Sequence, residues 1–426
     1  MISSILFAIL FLGGVVWFSL NVKKIISNIK LGRDIDRNDN KGERFKLMTL
    51  VALGQKKMFK RPIPAILHLF IYVAFVITQI ELIEIIVDGF SGKHRFFYTI
   101  EPSFWKSLYT IAISTIEILS LLALVATFAF LARRNLLKIP RFTMNEMNGW
   151  PKLDGNIILY MEFLLVMFIF TMNGTDEALF NRGASHFMEG TSGSYNFAIS
   201  SWVGPAVFGG METSTLHILE RVGWWGHIIM VLTFLNYLPF SKHFHILLAF
   251  PNVFYANLKP KGKFTNMEAV MNEVKLMFDP NADPYAASQV NENATPQAFG
   301  AKDVNDLTWV NLLNAYTCTE CGRCTSECPA NQTGKLLSPR KIMMDTRDRL
   351  VEYGEGKRKN GADYVDGKAL LGDYISEEEI WACTSCNACV EACPININPL
   401  EIILELRRFS ALEESSSPSE WNAMFQ

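Results

Sequence analysis

The sequence lacks a strong charge of either sign, and it lacks the glycine-rich loops that bind nucleotides. Its formal net charge is −2 over 426 residues, so no basic surface suits nucleic acid. Neither a phosphate-binding loop nor a dinucleotide fingerprint is present. Charged residues make up only 19% of the chain and hydrophobic residues 50%. This balance is too apolar for an ordinary soluble enzyme and indicates membrane-spanning segments beside a smaller polar region.

Cysteine is scarce, and it is confined to two short runs. They read Cys318-Thr-Glu-Cys321-Gly-Arg-Cys324-Thr-Ser-Glu-Cys328-Pro329 and Cys383-Thr-Ser-Cys386-Asn-Ala-Cys389-Val-Glu-Ala-Cys393-Pro394. Both have the C-x2-C-x2-C-x3-C-P spacing of two-cluster ferredoxins, in which the fourth Cys of a run ligates the other [4Fe-4S] cluster. The sequence therefore predicts one cluster on Cys318, Cys321, Cys324 and Cys393, and a second on Cys383, Cys386, Cys389 and Cys328.

Structural zinc and disulfide bonds are the alternatives for these cysteines. Zinc sites usually pair two short C-x2-C knuckles and need neither a third Cys nor a terminal Cys-Pro. Disulfides need an oxidising compartment, whereas the loop charges described below place this region in the cytoplasm. The two runs use all 8 cysteines of the chain, which favours two iron–sulfur clusters.

Five apolar stretches are long enough, or nearly so, to span a bilayer, with the fourth the shortest. They cover residues 2–20, 64–90, 104–131, 156–173 and 222–240. No positive residue precedes the first and no small-residue cleavage site follows it, so it is interpreted as a retained helix with its N-terminus outside. Because loops 21–62 and 133–153 are rich in Lys and Arg and loop 174–221 is not, the positive-inside rule places the cysteine region in the cytoplasm of a bacterial inner membrane.

Local signals predict further helices. The segment Glu212–Arg221 is expected to form a short helix on the membrane surface, and the helix of the fifth span is expected to continue to Pro251. Residues 266–278 have the apolar spacing of an amphipathic helix. Ser338 with Pro339, and Ser376 with three following Glu, are typical of helix N-termini.

The predicted fold is an all-α membrane protein, with a five-helix transmembrane bundle followed by a mostly α-helical dicluster ferredoxin domain. We expect a transmembrane cytochrome b-like domain over 1–258, a cytoplasmic linker over 259–305, the dicluster [4Fe-4S] domain over 306–410 and a loose tail over 411–426. The 54 residues between Cys328 and Cys383 exceed what a minimal β-ferredoxin needs.

Histidines at the ends of the predicted spans suggest haem ligands. His68 starts the second span, and His243 and His245 end the fifth, so antiparallel spans bring them to the same depth. Two residues apart on a helix is about 200°, so only one of His243 and His245 faces inward. His227 lies nearer the outer end and suits a second haem, whose expected partner position is held by Thr78.

These histidines resemble those of a known family. The five-span arrangement is similar to the gamma subunit of respiratory nitrate reductase, a dihaem cytochrome b. The stretch from Trp224-Trp225-Gly-His227 to Ser241-Lys242-His243-Phe-His245, like the helical dicluster region, resembles heterodisulfide-reductase-related iron–sulfur oxidoreductases. The resemblance implies His68, His227 and His245 as haem b ligands. It also implies electron exchange with a CCG-type iron–sulfur subunit, expected on a separate chain, or with an electron-transfer flavoprotein.

Glutamates within the predicted spans suggest proton handling. Glu81 and Glu84 share one face of the second span, and Glu117 lies within the third. Ionisable groups in hydrocarbon are costly and usually serve a pathway or a paired site. We expect them to handle protons beside a quinone, with Glu117 the first candidate, although Glu81 and Glu84 also suit the outer interface.

Two functions remain open from the sequence. The first is the electron-transfer, quinone-reacting subunit of a membrane oxidoreductase, which connects a cytoplasmic partner, two [4Fe-4S] clusters, one or two b haems and the quinone pool. The second is an iron–sulfur membrane anchor or redox sensor without haem. No internal repeat favours a transporter.

Overall fold

A computed structural model describes residues 2–100, 103–185, 192–260, 262–278 and 299–421. Within these ranges the regular structure is helical, and no β-strand occurs beyond two isolated bridges. This confirms the predicted all-α fold class. Parts of the predicted linker and tail lie outside the described residues.

The α-helices of the described residues are numbered in chain order. They are α1 (Ile2–Ile29), α2 (Lys41–Met48), α3 (Pro62–Ile77), α4 (Gln79–Ser91), α5 (Ser103–Asn135), α6 (Trp150–Asn181), α7 (Ser200–Val203), α8 (Thr213–Tyr237), α9 (His245–Phe254), α10 (Glu268–Phe278), α11 (Trp309–Thr317), α12 (Arg323–Ser326), α13 (Pro329–Gln332), α14 (Pro339–Asn360), α15 (Glu377–Trp381), α16 (Ala388–Ala392) and α17 (Pro399–Leu412). The amphipathic helix expected over 266–278 is therefore present as α10.

The chain divides into two compact units. The membrane unit comprises residues 1–23 and 58–243, and the cysteine unit comprises residues 24–57 and 244–426. The domain limits expected from sequence follow chain order, whereas both compact units are discontinuous. Residues 24–57 and the region of α9 thus belong to the same unit as the cysteines.

Five helical segments in the described residues are long and apolar enough to span a membrane, as predicted. The second is α3 and α4 together, which meet at Thr78. The fourth is α6, which at 32 residues is much longer than the expected 156–173. Between 11% and 39% of each apolar window is buried within the protein. The remaining apolar surface suits contact with lipid, so the protein is a membrane protein.

Two local predictions around the fifth span are wrong. The segment Glu212–Arg221 is no separate surface helix, because all of it except Glu212, the N-cap, belongs to the continuous helix α8. At the other end the helix does not continue to Pro251. Pro239 has no N–H to donate, Ser241 is extended, and a new helix begins at His245 and includes Pro251.

Glycines bring α6 and α8 of the membrane unit close together. A Cβ on Gly223 would lie 2.7 Å from the backbone N of Met172, and one on Gly226 would lie 2.5 Å from the ring of Phe168. Small residues commonly allow such backbone approach between membrane helices. Met172 and Trp224 then pack in one apolar cluster with side chains of α1, α4 and α8.

The cysteine unit is held by capped helices around an apolar core. Ser338 caps α14, with Pro339 at its first position, and Ser376 with Glu379 forms a capping box on α15. Both N-termini confirm the sequence prediction. The core contains fully buried aliphatic side chains of α11, α14 and α17, including Leu312, Ile342 and Ile402.

Candidate functional site

The two cysteine runs adopt the same backbone pattern. In the first, Glu320 and Gly322 have left-handed φ angles of 55° and 69°; in the second, Ser385 and Asn387 have φ angles of 55° and 62°. These positions are the second and fourth residues after the first Cys of each run. Left-handed residues let a short loop curl back on itself, so both runs wrap their first three cysteines around one point.

The structure brings three thiols of the first run together with the last thiol of the second. Cys318, Cys321, Cys324 and Cys393 line one cavity, together with apolar residues such as Ile395. The remaining four thiols also group. The Cys328 and Cys386 thiols act electrostatically on both Cys383 and Cys389.

The buried thiols of the two runs are poorly suited to exist as thiolates without a bound metal centre. Burial raises the pKa of Cys318 and of Cys389 to about 12 and that of Cys393 to about 11, and neighbouring thiols add to each shift. The thiolate is the form that binds metal. Several thiolates in so apolar a place therefore require a bound cationic centre. Backbone N–H groups of Ser385 and Ile397 also donate to the sulfurs of Cys383 and Cys393, at 3.4 and 3.3 Å.

The spacing of the sulfurs fits a cluster better than a single ion. A zinc ion at about 2.3 Å from four sulfurs holds them about 3.8 Å apart. All eight cysteines are among the described residues, yet no three of them offer sulfurs within 4.8 Å of one another. Four thiols supplied by two C-x2-C-x2-C-x3-C-P runs are the donor set of a [4Fe-4S] core, in which each sulfur binds a different iron.

A second polar site lies within the membrane unit and centres on Arg95. Its buried guanidinium donates from Nε to Asp176 Oδ2 at 2.8 Å, from Nη1 to Tyr109 Oη at 3.1 Å and from Nη2 to Asn173 Oδ1 at 2.6 Å. Tyr109 in turn donates to Glu84 Oε2 at 2.7 Å. Arg95 is therefore the buried cation that connects helices α4, α5 and α6.

The predicted glutamates have unequal surroundings. Glu117 Oε2 accepts from the backbone N of Ile199 and of Ser200, at 2.7 and 3.0 Å, and Oε1 accepts from Asn173 and the Ser200 hydroxyl. Four donors mark a carboxylate with a structural role. Glu81 is equally buried, but neither of its oxygens accepts a hydrogen bond from a described residue. The guanidinium of Arg95 lies 3.9 Å from Glu81 Oε1.

His94, Asp176 and Glu220 form another buried group that sequence reasoning missed. Their ligand atoms lie within 4.8 Å of one another, the arrangement of a three-residue metal site. However, Arg95 already donates to Asp176, and Arg221 donates to Glu220 and lies 3.2 Å from His94 Nδ1. The protein's own guanidinium groups neutralise these carboxylates, so the group is better described as an ion-pair network than as a metal centre.

The predicted haem histidines fall in different settings. His68 lies in α3. His227 is buried in α8, with Nδ1 3.3 Å from the carbonyl of Leu165, a contact that orients the ring as haem-ligating imidazoles are oriented. His243 packs edge-on against Phe234 in a 3₁₀ turn, and His245 begins α9. The 3₁₀ turn that holds His243 continues directly into α9, so the break at Ser241 lies before both histidines.

Lys242 is held by α6. Its Nζ donates to the carbonyl of Pro151 at 2.6 Å and lies 3.7 Å from Asp154. Asp154 also accepts from Tyr237 at 2.6 Å. These contacts fix the turn that follows α8.

Comparison with known proteins agrees with the cysteine geometry. The 4Fe-4S dicluster domain matches residues 317–397. The chain is 26% identical, over 98% of its length and 57% of the relative's, to the probable iron–sulfur-binding oxidoreductase FadF of Bacillus subtilis. It is 24% identical, over 92% of its length and 52% of the relative's, to the EtfAB:quinone oxidoreductase of Syntrophomonas wolfei.

A third relative matches the cysteine region. It is one component of a CoB-CoM heterodisulfide reductase from Methanosarcina acetivorans, and it is 37% identical over 24% of this chain and 49% of its own. No solved structure matches. The chain is thus related to iron–sulfur oxidoreductases and carries a 4Fe-4S dicluster domain. It spans a little over half the length of the two relatives that match nearly all of it.

Proposed function

We propose that the protein is the electron-transfer, quinone-reacting subunit of a membrane oxidoreductase. Electrons pass between a cytoplasmic partner, two [4Fe-4S] clusters, haem b and the membrane quinone pool. The observation that carries this proposal is that Cys393 of the second run lines the same cavity as Cys318, Cys321 and Cys324 of the first. One cluster is held by Cys318, Cys321, Cys324 and Cys393, and the other by Cys383, Cys386, Cys389 and Cys328. The clusters supply one-electron transfer at potentials that the protein sets.

The partner is proposed from the relatives' names and from chain topology. A relative that matches 92% of the chain is named EtfAB:quinone oxidoreductase, which supports an electron-transfer flavoprotein as partner. The heterodisulfide reductase relative is named as one subunit of a larger enzyme, which supports a partner subunit as the alternative; the family resemblance implies that this subunit is of the CCG type. The basic loops 21–62 and 133–153 support a cytoplasmic position for the cysteine unit and an external N-terminus.

Haem is proposed on His68 with His243 or His245. A pyridine haemochrome assay on purified protein is expected to give one b haem per chain, and His68→Ala is expected to abolish it. His227→Ala is expected to retain that haem; two haems per chain in the wild type, one of them lost in His227→Ala, would show that His227 binds a second haem. His217 is the matched control, because it also lies on α8 and the proposal gives it no haem. A wild-type protein with two clusters and no haem would leave an iron–sulfur membrane anchor.

Proton exchange with the quinone is proposed for Glu81 rather than Glu117. Glu81 is buried without a hydrogen-bond partner among the described residues, so it can change protonation without breaking such a bond. We expect Glu81→Gln to slow anaerobic reoxidation of the reduced protein by a short-chain quinone by about 100-fold, the usual scale of one acid–base group. Stopped-flow absorbance at the cluster bands measures this rate.

Glu117→Gln is the matched control for that experiment. It removes a charge of the same sign from a carboxylate with four donors, so we expect a lower melting temperature but a reoxidation rate near that of the wild type. Reoxidation of Glu81→Gln at the wild-type rate, with full iron and haem content, would contradict a proton-transfer role for Glu81.

A further inference from the structure

In the segment formed by α2 and the π-helical turn that follows it, large apolar side chains point away from the protein. Phe45, Leu50 and Leu53 are 62%, 44% and 52% exposed. Arg44 and Val51 are buried and lie about two helical turns apart, so they share the opposite side. The segment therefore presents an outward face of three apolar side chains, Phe45, Leu50 and Leu53.

Arg44 fixes which side of the segment faces outward. Its guanidinium is 1% exposed and donates from Nη1 to the carbonyls of Phe254 and Ala256, both at 2.9 Å. It also donates from Nε to the carbonyl of Asp39 at 2.8 Å and from Nη2 to the carboxylate of the same residue at 2.5 Å. A buried guanidinium is costly to separate from its acceptors. The outward face therefore cannot turn inward without breaking these four bonds.

The chain ties the outward face to the membrane. The segment lies between the first and the second candidate spans, and Leu53 is nine residues before Pro62, the first residue of the second. Nine residues reach at most about 30 Å. α2 packs on α9, which begins at His245, eight residues after α8 ends at Tyr237. Short connections to membrane-spanning helices thus keep this face near the bilayer surface.

Exposed lysines accompany the outward face. Lys41, Lys46 and Lys56 are exposed, and the acid beside them, Glu43, lies 3.5 Å from Lys46. Apolar side chains next to lysines suit the surface of a bilayer with anionic headgroups: the apolar groups enter the acyl boundary, and the ammonium groups bind the phosphates. Anionic lipid is therefore the partner that both the charge and the position of this face favour.

α9 joins this region to the loop of Cys393. Asn252 of α9 donates from Nδ2 to the carbonyl of Ile395 at 2.7 Å. Asn314 of α11 donates to Asn252 Oδ1 at 3.1 Å and accepts from the backbone N of Asn398 at 2.7 Å. Asn252 and Asn314 are 0% and 3% exposed, so the loop is rigidly placed on α9. A lipid contact of the outward face would thus also fix the height of this loop above the bilayer.

We propose that Phe45, Leu50 and Leu53 insert into the bilayer surface, and that the lysines beside them bind anionic lipid headgroups. The contact holds the cysteine unit at the level of the headgroups. This inference goes beyond the proposed function and requires neither haem nor quinone. Only its consequence, a thiol set kept close to the membrane, bears on electron transfer.

The first test is photo-crosslinking of the full chain in nanodiscs that contain equal parts of phosphatidylglycerol and phosphatidylcholine. p-Benzoylphenylalanine replaces Phe45 in one variant and Leu50 in another, and mass spectrometry identifies what each has bound after illumination. Lipid adducts are expected at both positions. Val351 is the matched control position, because it is also an exposed apolar residue, at 41%, of the cysteine unit, and it should give no lipid adduct.

The second test measures the preference for anionic lipid in the same nanodiscs. At position 45 we expect phosphatidylglycerol adducts to exceed phosphatidylcholine adducts by about fivefold, the effect of about one lysine near an anionic surface. The ratio should approach one in the triple variant Lys41→Gln, Lys46→Gln, Lys56→Gln. Lys335→Gln is the matched control, since it removes an exposed lysine from another part of the cysteine unit, and it should keep the wild-type ratio.

The outcomes separate this inference from the proposed function. Adducts to a second copy of the chain or to another protein would overturn it, as would the absence of any adduct at both positions or equal lipid adducts at Val351. A ratio near one with all lysines present would overturn the role of anionic headgroups. Iron and haem contents, which test the proposed function, should be the same in all these variants.

Discussion

Replacing Cys393 by Ala is expected to remove the cluster bound by the first three cysteines of the first run, although Cys393 itself belongs to the second run. Cys393 lines the cavity of Cys318, Cys321 and Cys324, so its loss leaves that cluster with three ligands. Iron and acid-labile sulfide should fall from about eight atoms each per chain to about four. The surviving EPR signal should be that of the cluster on Cys383, Cys386 and Cys389.

The reciprocal variant provides the control. Cys328 belongs to the first run, but its charge acts on Cys383 and Cys389. Cys328→Ala should therefore retain the signal that Cys393→Ala loses. If each substitution instead removed the cluster of its own run, the cross-ligation would be refuted.

Replacing Arg95 by Met is expected to destabilise the membrane unit by about 3–5 kcal/mol, the usual cost of breaking a buried ion pair on one side. Arg95 is 3% exposed and donates to Asp176, Asn173 and Tyr109. It also lies 5.2 Å from the ring centroid of Phe197, so removal costs a cation–π contact as well. Thermal unfolding in detergent micelles, followed by tryptophan fluorescence, measures the loss.

Arg182→Met is the matched control for Arg95. Its exposed guanidinium donates to the carbonyls of Met211 and Gly209, and the change should cost about 1 kcal/mol or less. Equal melting of Arg95→Met and the wild type would mean that the surrounding carboxylates are protonated, and that the network is not ionic.

The cysteine site was the most predictable feature, because its ligands follow a local spacing. Two runs of the same spacing predicted both thiol sets, and the structure places Cys393 of the second run in one cavity with the first three thiols of the first. The fold of the cysteine region was also predictable, since Ser338 and Ser376 carry ordinary capping signals. The contact of Arg44 with the carbonyl of Phe254 was not, because 210 residues separate them in the chain.

The polar network of the membrane unit was largely missed, for a physical reason. Hydropathy ends the fourth span near Asn173, where Asp176 and Glu177 lower the average. The helix nonetheless continues to Asn181, because those acids are paired inside the protein. A charge within a helix was thus interpreted as the end of that helix. Arg95 lies beyond the end of α4, and its role depends on partners that the sequence does not bring together.

The break after α8 is a second place where the apolar pattern of the sequence does not predict where a helix ends. The apolar pattern continues through Leu238 to Phe250, so it favours one helix. Pro239 and the extended Ser241 interrupt that helix before His243 and His245, which lie in the next helical segment. Proline outweighs apolar periodicity here because it removes a backbone donor.

The close approach of α6 and α8 at Gly223 fixes the distance between these two helices. At Gly223 no side chain separates α8 from the backbone of Met172 on α6, so the two helices approach closely at this level. His227 lies one turn further along α8. The separation of the two helices therefore also sets the distance from its imidazole to the carbonyl of Leu165. A methyl group added at Gly223 would push the helices apart and shift the ring without touching it. The lack of a side chain at Gly223 thus determines the position of the His227 imidazole.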